Sequence, residues 1–474
     1  MTADSGQRMP AEKGVFIMKR LIKNTVSALA SCALAVSAVG RLAAFADVTP
    51  NPVISRGCPA YSGANPATAS AANDEHYFSF WTGTAPDYLA YDLSGVPEKQ
   101  REKVIAVWYN TSAYDKIGPY ANQNMEPTDY TIEVNAAEGG KYPEDGWKVV
   151  ETVTDNLHGS RQHVVDMKGY NWIRLNVSKA DGKTGSNAQV NFDIHNVSEG
   201  ISDSWIFFGD SITAGGMNNC YGTGFATFVN RLDNRFFPVQ ENGGIGGIKS
   251  EDGRKNIDRW LEICPAKYVS IAYGTNDAWG SNTPFETYYE NTKYMVDAIL
   301  AKGKVPVLPT IPFSTNADVA KDLTKYNAQI ERLYEEYGDK IVKGPDFYEY
   351  FSKHTDHLAD GVHPDSDGYE SMRELWAKTM YDRVYSVSEP ETTTAPVPDV
   401  ITMAGDANLD GTVELADAIF IMQSLAQPNK YNMEIQGRIN ADVDGQKDGV
   451  TSNDALTIQL YLLHRITELP YRPQ

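Results

Sequence analysis

Trp205-Ile206-Phe207-Phe208 is a run of four large apolar residues that stops at Gly209-Asp210-Ser211, and few folds accommodate such a stretch. Unbroken apolar character is what a strand needs when it is covered on both faces, as in a parallel sheet between helices. Gly209-Asp210-Ser211 then turns the chain, and Gly215-Gly216 keeps the next residues small. Open α/β sheets bind ligands at the carboxyl ends of their strands. A serine held there is exposed at the sheet edge, as a nucleophile must be. An ordinary Gly-Asp-Ser turn has the same composition, so the rest of the chain has to decide.

From about Ser202 to Val387, apolar runs alternate with helical patterns. Strands are expected at Trp205–Phe208, Phe237–Gln240, Tyr268–Tyr273, Val305–Pro309 and Ile341–Val342. Helices are expected near Phe225–Leu232, Asn256–Leu261, Phe285–Leu300, Val319–Tyr337 and Gly368–Tyr385. This order implies a parallel sheet covered by helices on both faces. Before it, from Asp47 to about Glu199, the period is two: Tyr130-Thr131-Ile132-Glu133-Val134-Asn135 alternates, as do Trp172–Val177 and Val190–His195. Lys103–Tyr109, Trp147–Val153 and Arg161–Met167 are further strand candidates. Short strands without amphipathic helices predict an antiparallel β-sandwich of jelly-roll type. Trp81, Trp108, Tyr109 and Tyr114 are either sugar-stacking platforms or core, and core is the usual fate of such residues. His158, His163 and His195 are expected at the surface of this domain.

At the other end, Glu389-Pro390-Glu391-Thr392-Thr393-Thr394-Ala395-Pro396-Val397-Pro398 is an extended Pro/Thr linker. At the start, Met18-Lys19-Arg20-Leu21-Ile22-Lys23, an apolar run from Val26 to Val39 and Ala44-Phe45-Ala46 together read as a secretory signal peptide behind a short extension. Leu29-Ala30-Ser31-Cys32 also fits a lipoprotein box, which would anchor the chain through Cys32. The chain thus divides into a leader with its extension (1–46), a β-sandwich (47–200), an α/β domain (201–387), a linker (388–402) and a C-terminal module (403–474). Cleavage at Ala46 leaves Cys58, Cys220 and Cys264, too few and too odd for a disulfide scaffold; a Cys220–Cys264 bridge and unpaired buried thiols both remain open. The net charge of −20 argues against nucleic acid and anionic membranes as partners. No apolar run outside the leader reaches the roughly 20 residues of a membrane span.

Three later stretches fall at the carboxyl ends of the elements that follow Ser211: Asn242-Gly243-Gly244-Ile245-Gly246-Gly247, Gly274-Thr275-Asn276-Asp277 and Asp360-Gly361-Val362-His363-Pro364. Ester hydrolysis needs what they supply. A serine is a weak nucleophile until a base takes its proton, which His363 can do. Asp360, three residues earlier, can hold the imidazole tautomer. The oxyanion needs preorganised donors, for which the N–H of Ser211, the N–H of Gly247 and the side-chain amide of Asn276 are candidates. Asn276 could instead cap a helix, and Asp360 could simply form a turn. Asp210 is expected to brace the turn. Trp279 could flank the substrate or pack. No His-x-x-x-His or comparable cluster stands in this domain, so metal-free catalysis is expected.

Taken together, the four stretches resemble the sequence blocks of the SGNH (GDSL-type) hydrolases: Gly209-Asp210-Ser211, Asn242 to Gly247, Gly274-Thr275-Asn276-Asp277 and Asp360-x-x-His363, in order. The resemblance implies Ser211 as nucleophile, His363 as base, Asp360 as its orienting partner, and Ser211, Gly247 and Asn276 as the oxyanion hole. Ile212 replaces the leucine of the family's common name.

After the linker come two acidic loops, each leading into a short helix. Asp406, Asn408, Asp410, Thr412, Glu414 and Asp417 occupy positions 1, 3, 5, 7, 9 and 12 of the first, with Gly411 at 6. Oxygen donors at that spacing suit Ca²⁺. The second, Asp442 to Asp454, is one residue longer, with Asp442, Asp444, Asp448 and Asp454 as its candidate donors. The duplication resembles a dockerin module, which implies bound Ca²⁺ and a cohesin partner contacted through Leu415 and Ala416 and, by analogy, Ser452 and Asn453. The two resemblances imply a secreted, cellulosome-associated serine esterase, with no cofactor for catalysis, that removes acetyl esters from plant cell-wall polysaccharide. Feruloyl or lipid esters, or a non-catalytic glycan-binding dockerin protein, are the alternatives.

Overall fold

The computed structural model describes residues 48–386 except 75 and 221, and residues 401–471 except 427–430, 432, 434 and 446–449. The leader, most of the linker and Asp448 lie outside the described residues.

Among the described residues, nine strands form the N-terminal domain: β1 (Ala60–Ser62), β2 (Trp81–Thr84), β3 (Asp87–Asp92), β4 (Lys103–Tyr109), β5 (Pro127–Asn135), β6 (Lys148–Val153), β7 (Ser160–Asp166), β8 (Trp172–Ala180) and β9 (Asn187–Asn196). They pair antiparallel in two sheets, β1-β3-β8-β5-β6 and β2-β9-β4-β7. The inward residues of both sheets, among them Leu89, Ile132, Leu175, Val104, Trp108 and Phe192, share one core. This is what period-two sequences build when one face of each sheet is apolar. β4 departs from that pattern. Its outer residues Ile105, Val107 and Tyr109 are buried as well, against Val239 of the next domain.

That burial overturns the stacking reading for all four aromatics. Trp81 and Trp108 lie in the sandwich core, Tyr109 lies on the covered outer face of β4, and Tyr114 packs with Phe208 and Trp260. The three histidines are buried too, against expectation: His163 faces the sandwich core beside Tyr130, and His195 lies against Phe237 of the next domain. His163 Nε2 pairs with the Tyr130 hydroxyl at 2.9 Å, and His195 Nδ1 pairs with the Asn51 carbonyl at 2.9 Å. Burial holds His163 down to about 3 and His158 down to about 4. Such a histidine is neutral in the fold but takes a proton at its ordinary value of about 6.5 once unfolded. Its stabilisation is complete above that value and is lost as the pH falls towards 3. At pH 5 the loss through His163 comes to about 2 kcal/mol. His163→Gln, which keeps an acceptor for Tyr130, is expected to shrink the stability difference between pH 7.5 and pH 5 by about that amount in urea unfolding. An unchanged difference would show that His163 does not titrate as its burial requires.

The second domain is a five-stranded parallel sheet of β10 (Ser204–Gly209), β11 (Val239–Gly244), β12 (Tyr268–Ala272), β13 (Val305–Leu308) and β14 (Val342–Lys343), in the order β11-β10-β12-β13-β14. Every residue of β10 is buried, and its side chains alternate between two helical layers. Phe207 meets Phe225 and Trp376 on one side, and Phe208 stacks on Trp260 on the other. β11 begins two residues later than expected and runs four further. Only Val239 among its six residues is strongly apolar, so the sequence pattern hid it. Its Glu241 is buried and accepts from the Ser160 hydroxyl at 2.9 Å, and burial raises its carboxyl. Cys58, Cys220 and Cys264 are all free thiols.

The described C-terminal residues include three helices, Leu415–Ala426, Ile435–Ala441 and Ser452–Leu462, in one small unit. Ala407, Ala418 and Ile421 from the first half meet Val443, Ala455 and Ile458 from the second in one core.

Candidate active site

The strand order reverses between β10 and β12, and a crevice opens at such a switch point beyond the strands' carboxyl ends. Ser211 follows β10 and Asn276 follows β12, so the two stand on either side of it. Ser211 is the first residue of the short helix Ser211–Gly216, which Asp210 caps by accepting the Ile212 N–H at 2.9 Å. Asp210 is buried and its carboxyl is pushed up to about 7. It braces the turn, as expected. Gly209 must be glycine, since a Cβ there would lie 2.0 Å from Thr213 Oγ1 and 2.8 Å from the Ala272 carbonyl.

The loop after β11 is tied to this turn. Ile245 N–H donates to the Gly209 carbonyl at 3.0 Å, and Asn242 Nδ2 donates to the Ala214 carbonyl at 2.8 Å. Gly247 adopts φ +77°, a left-handed conformation that glycine enters without strain. Asn276 does not cap its helix: one amide N–H donates to the Ile248 carbonyl at 3.0 Å, and the other has no partner among the described residues. Asp277 is buried beneath it, accepting from the backbone N–H of Ser250 at 3.0 Å and its hydroxyl at 2.6 Å.

Ser211 Oγ lies 2.9 Å from His363 Nε2, and His363 Nδ1 lies 2.9 Å from Asp360 Oδ2. Ser211 and His363, 152 positions apart along the chain, form one continuous relay with Asp360. Asp360 is more than a turn-former: its Oδ1 accepts the N–H groups of His363 at 2.7 Å and Val362 at 2.9 Å, leaving Oδ2 for the ring. Those bonds, the His363 backbone N–H first, hold its carboxyl down to about 2. The loop is itself anchored where the Gly361 carbonyl accepts from Thr315 N–H at 2.9 Å and Ser314 Oγ at 2.6 Å. Trp279 is 38% exposed on the helical turn after Asn276.

One grouping escaped the sequence reading. Donor atoms of His354, Asp356 and His357 lie within 4.8 Å of one another. The spacing i, i+2, i+3 becomes a cluster only because a 3₁₀ turn, Thr355–His357, closes it. Neither Ser211 nor His363 takes part in it.

A parallel sheet with a serine–histidine–aspartate relay at its switch point defines a class of hydrolytic α/β domain, and the comparison with known families places it within that class. Residues 207–370 match the GDSL-like Lipase/Acylhydrolase family, and this part of the chain is a domain of that family. A multidomain esterase of Ruminococcus flavefaciens is 27% identical over 213 residues, 42% of this chain and 27% of the relative. A xylanase/beta-glucanase of the same organism is 39% identical over 124 residues, 24% of this chain and 15% of the relative. The chain therefore spans well under a third of the length of these curated relatives. A crystallised R. flavefaciens complex of the third ScaB cohesin with a group 1 dockerin contains a chain 42% identical over 15% of this one and 99% of its own length, with a TM-score of 0.14.

In the C-terminal unit the two acidic loops close in the same way. Asp417 accepts the N–H groups of Ala407, Asn408 and Glu414; Asp454 accepts those of Val443, Asp444 and Thr451. Glu414 therefore corresponds to Thr451, and the extra residue of the second loop is absorbed before that point. In the first loop Asp406 accepts the N–H groups of Asp410 and Gly411, and Asp410 accepts from Thr412. In the second, oxygens of Asp442, Asp444 and Asp454 lie within 4.8 Å of one another. Three carboxylates so close repel unless a cation lies among them, and an all-oxygen donor set suits a hard one. Leu415 stands exposed on one face of the first helix with Ile419 and Met422, at i, i+4 and i+7, and the last two were not expected from the sequence.

Proposed function

We propose that this chain is a secreted serine esterase that removes acetyl groups from plant cell-wall polysaccharide and is carried by a cohesin-bearing scaffold. The observation that carries the catalytic reading is the relay of two 2.9 Å hydrogen bonds from Ser211 through His363 to Asp360. In this reading Ser211 Oγ attacks the ester carbonyl as its proton passes to His363 Nε2. The oxyanion is met by the N–H groups of Ser211 and Gly247 and the spare amide N–H of Asn276. His363 returns the proton to the departing sugar hydroxyl, and a water molecule then releases the acyl group by the same steps.

The reading of the substrate as an acetylated polysaccharide draws on the likeness to a multidomain esterase and a xylanase/beta-glucanase and on the N-terminal sandwich, whose strand order is that of a jelly roll. The C-terminal unit is read as a dockerin. Asp406, Asn408, Asp410, Thr412, Glu414 and Asp417 would hold one Ca²⁺, and Asp442, Asp444 and Asp454 a second, with Asp448 joining from outside the described residues. Calcium would offset part of the negative charge of these loops and set the helices that follow. The cohesin would meet Leu415, Ala416 and the exposed stripe beside them, with Ser452 and Asn453 as the more polar counterpart.

Acetate release from acetylated xylan, glucomannan and pectin tests the enzymatic reading. Release from one of the three is expected. Hydrolysis of an aryl acetate with no release from any polymer would remove the polysaccharide from the proposal while leaving the esterase.

A further inference from the structure

Between β4 and β5 the chain leaves the sandwich as a loop that lies across the hydrolase domain. Its first part is fastened there: Tyr114 N–H donates to the Gly244 carbonyl at 3.3 Å, and Asp115 accepts Trp260 Nε1 at 2.7 Å and pairs with Arg259. Its return is fastened to itself and to the sandwich. Ala113 N–H donates to the Asn122 carbonyl at 2.9 Å, and Gln123 Nε2 donates to the carbonyls of Ala113 at 2.9 Å and Leu157 at 2.7 Å. The tip, Gly118-Pro119-Tyr120, therefore has little freedom, and it rests on the loop that carries the oxyanion donor. A Cβ placed on Gly247 would lie 2.5 Å from Tyr120 Cδ2 and 3.0 Å from Pro119 Cγ, and one on Gly246 would lie 3.0 Å from Tyr120 Cβ.

So close a seat would bury most aromatic side chains, yet Tyr120 is 73% exposed, the most exposed large apolar side chain among the described residues. Its hydroxyl has no partner among them. A ring held on a fastened loop, with its Cδ2–Cε2 edge against Gly247 and most of the rest in water, has no packing role to explain it. Its surroundings suit a ligand that brings a broad, weakly polar face. An acetyl methyl is too small to cover it, whereas the C–H face of a pyranose is the right size.

We propose that Tyr120 is a platform for the sugar ring that bears the scissile ester, so that the N-terminal domain completes the substrate site of the hydrolase domain. The inference rests on the reading of the substrate as an acylated saccharide. It also gives the sandwich a role its own buried aromatics cannot fill.

The full chain carrying Tyr120→Ala or Tyr120→Phe tests it. The quantity to read is kcat/KM on acetylated xylo- and manno-oligosaccharides divided by kcat/KM on 4-nitrophenyl acetate. Tyr120→Ala is expected to lower that ratio about 10-fold, and Tyr120→Phe to hold it within about 2-fold, since stacking needs the ring and not the hydroxyl. An unchanged ratio in Tyr120→Ala would overturn the proposal. So would an equal fall on both substrates, which would make Tyr120 a support for the Gly247 loop. Calorimetric binding of the unacetylated oligosaccharides to the Ser211→Ala chain separates this inference from the esterase reading. If wild type deacetylates no saccharide, binding that is lost with Tyr120→Ala keeps the platform, and binding that is absent or indifferent to Tyr120 overturns it.

Discussion

Ser211→Ala is expected to lower kcat on an aryl acetate by at least about 10⁴-fold, with little change in KM or in thermal stability. The side chain is partly exposed at the head of a short helix, and its single described hydrogen bond is to His363, so its loss leaves no buried polar group unmatched. His363→Ala should cost about as much, because the relay acts as a unit and either loss removes it. Asp360→Asn should cost less, roughly 10²-fold. Asp360 is 59% exposed, so water can replace part of its contact with Nδ1. Its carboxyl, held down to about 2, is ionised well below the pH range of assay, and its favourable contribution disappears only as the pH falls through that value. An acid limb in the pH–rate profile above pH 4 therefore does not report Asp360. Steady-state kinetics of the three variants from pH 5 to 9 would check this. Residual activity in Ser211→Ala within 100-fold of wild type would sink the nucleophile assignment.

Chelation of calcium is expected to unfold the C-terminal unit while the hydrolase domain stays folded. The unit's core consists of small and medium side chains, chiefly Ala407, Ala418, Ile421, Val443, Ala455 and Ile458, in about 70 residues. A core of that size rarely supplies more than about 3–5 kcal/mol. Two sites, each at about 100 times its dissociation constant in free Ca²⁺, would contribute about 2.7 kcal/mol apiece, comparable with the whole stability of the unit. Asp417 and Asp454 are both fully buried, and burial raises their carboxyls. Without a cation these charges would weigh against folding. Far-UV circular dichroism with calcium, and again with excess EDTA, should show a separate low-temperature transition appear on chelation, with aryl-acetate hydrolysis retained. Identical melting curves would refute calcium as the structural partner of these loops.

The architecture was largely legible because the periodicities differ so sharply. Trp172–Val177 alternates as a half-buried strand should, and Trp205–Phe208 does not. β11 was misplaced because Gln240, Glu241 and Asn242 are polar residues in a buried strand, and their partners, Ser160 and Ala214 among them, belong to other elements. His195, which lies against Phe237 of the next domain, was misjudged for a related reason. Period two tells which face a residue takes, but not whether a second domain covers that face.

The sequence by itself determined the chemistry of the site, since Ser211, Asn276, Asp360 and His363 each stand in a short motif at the end of a recognisable element. It also determined the repeated carboxylates of the acidic loops, because residues within one loop are brought together by local spacing. Only the tertiary structure decided which residues meet across distance. Strand order brings Ser211 to His363, a 3₁₀ turn gathers His354, Asp356 and His357, and docking of the sandwich lays Tyr120 on Gly247. Nothing in Gly118-Pro119-Tyr120 distinguishes it from an ordinary loop tip, because its position depends on contacts made by Tyr114 and Asp115 with residues more than 100 positions away.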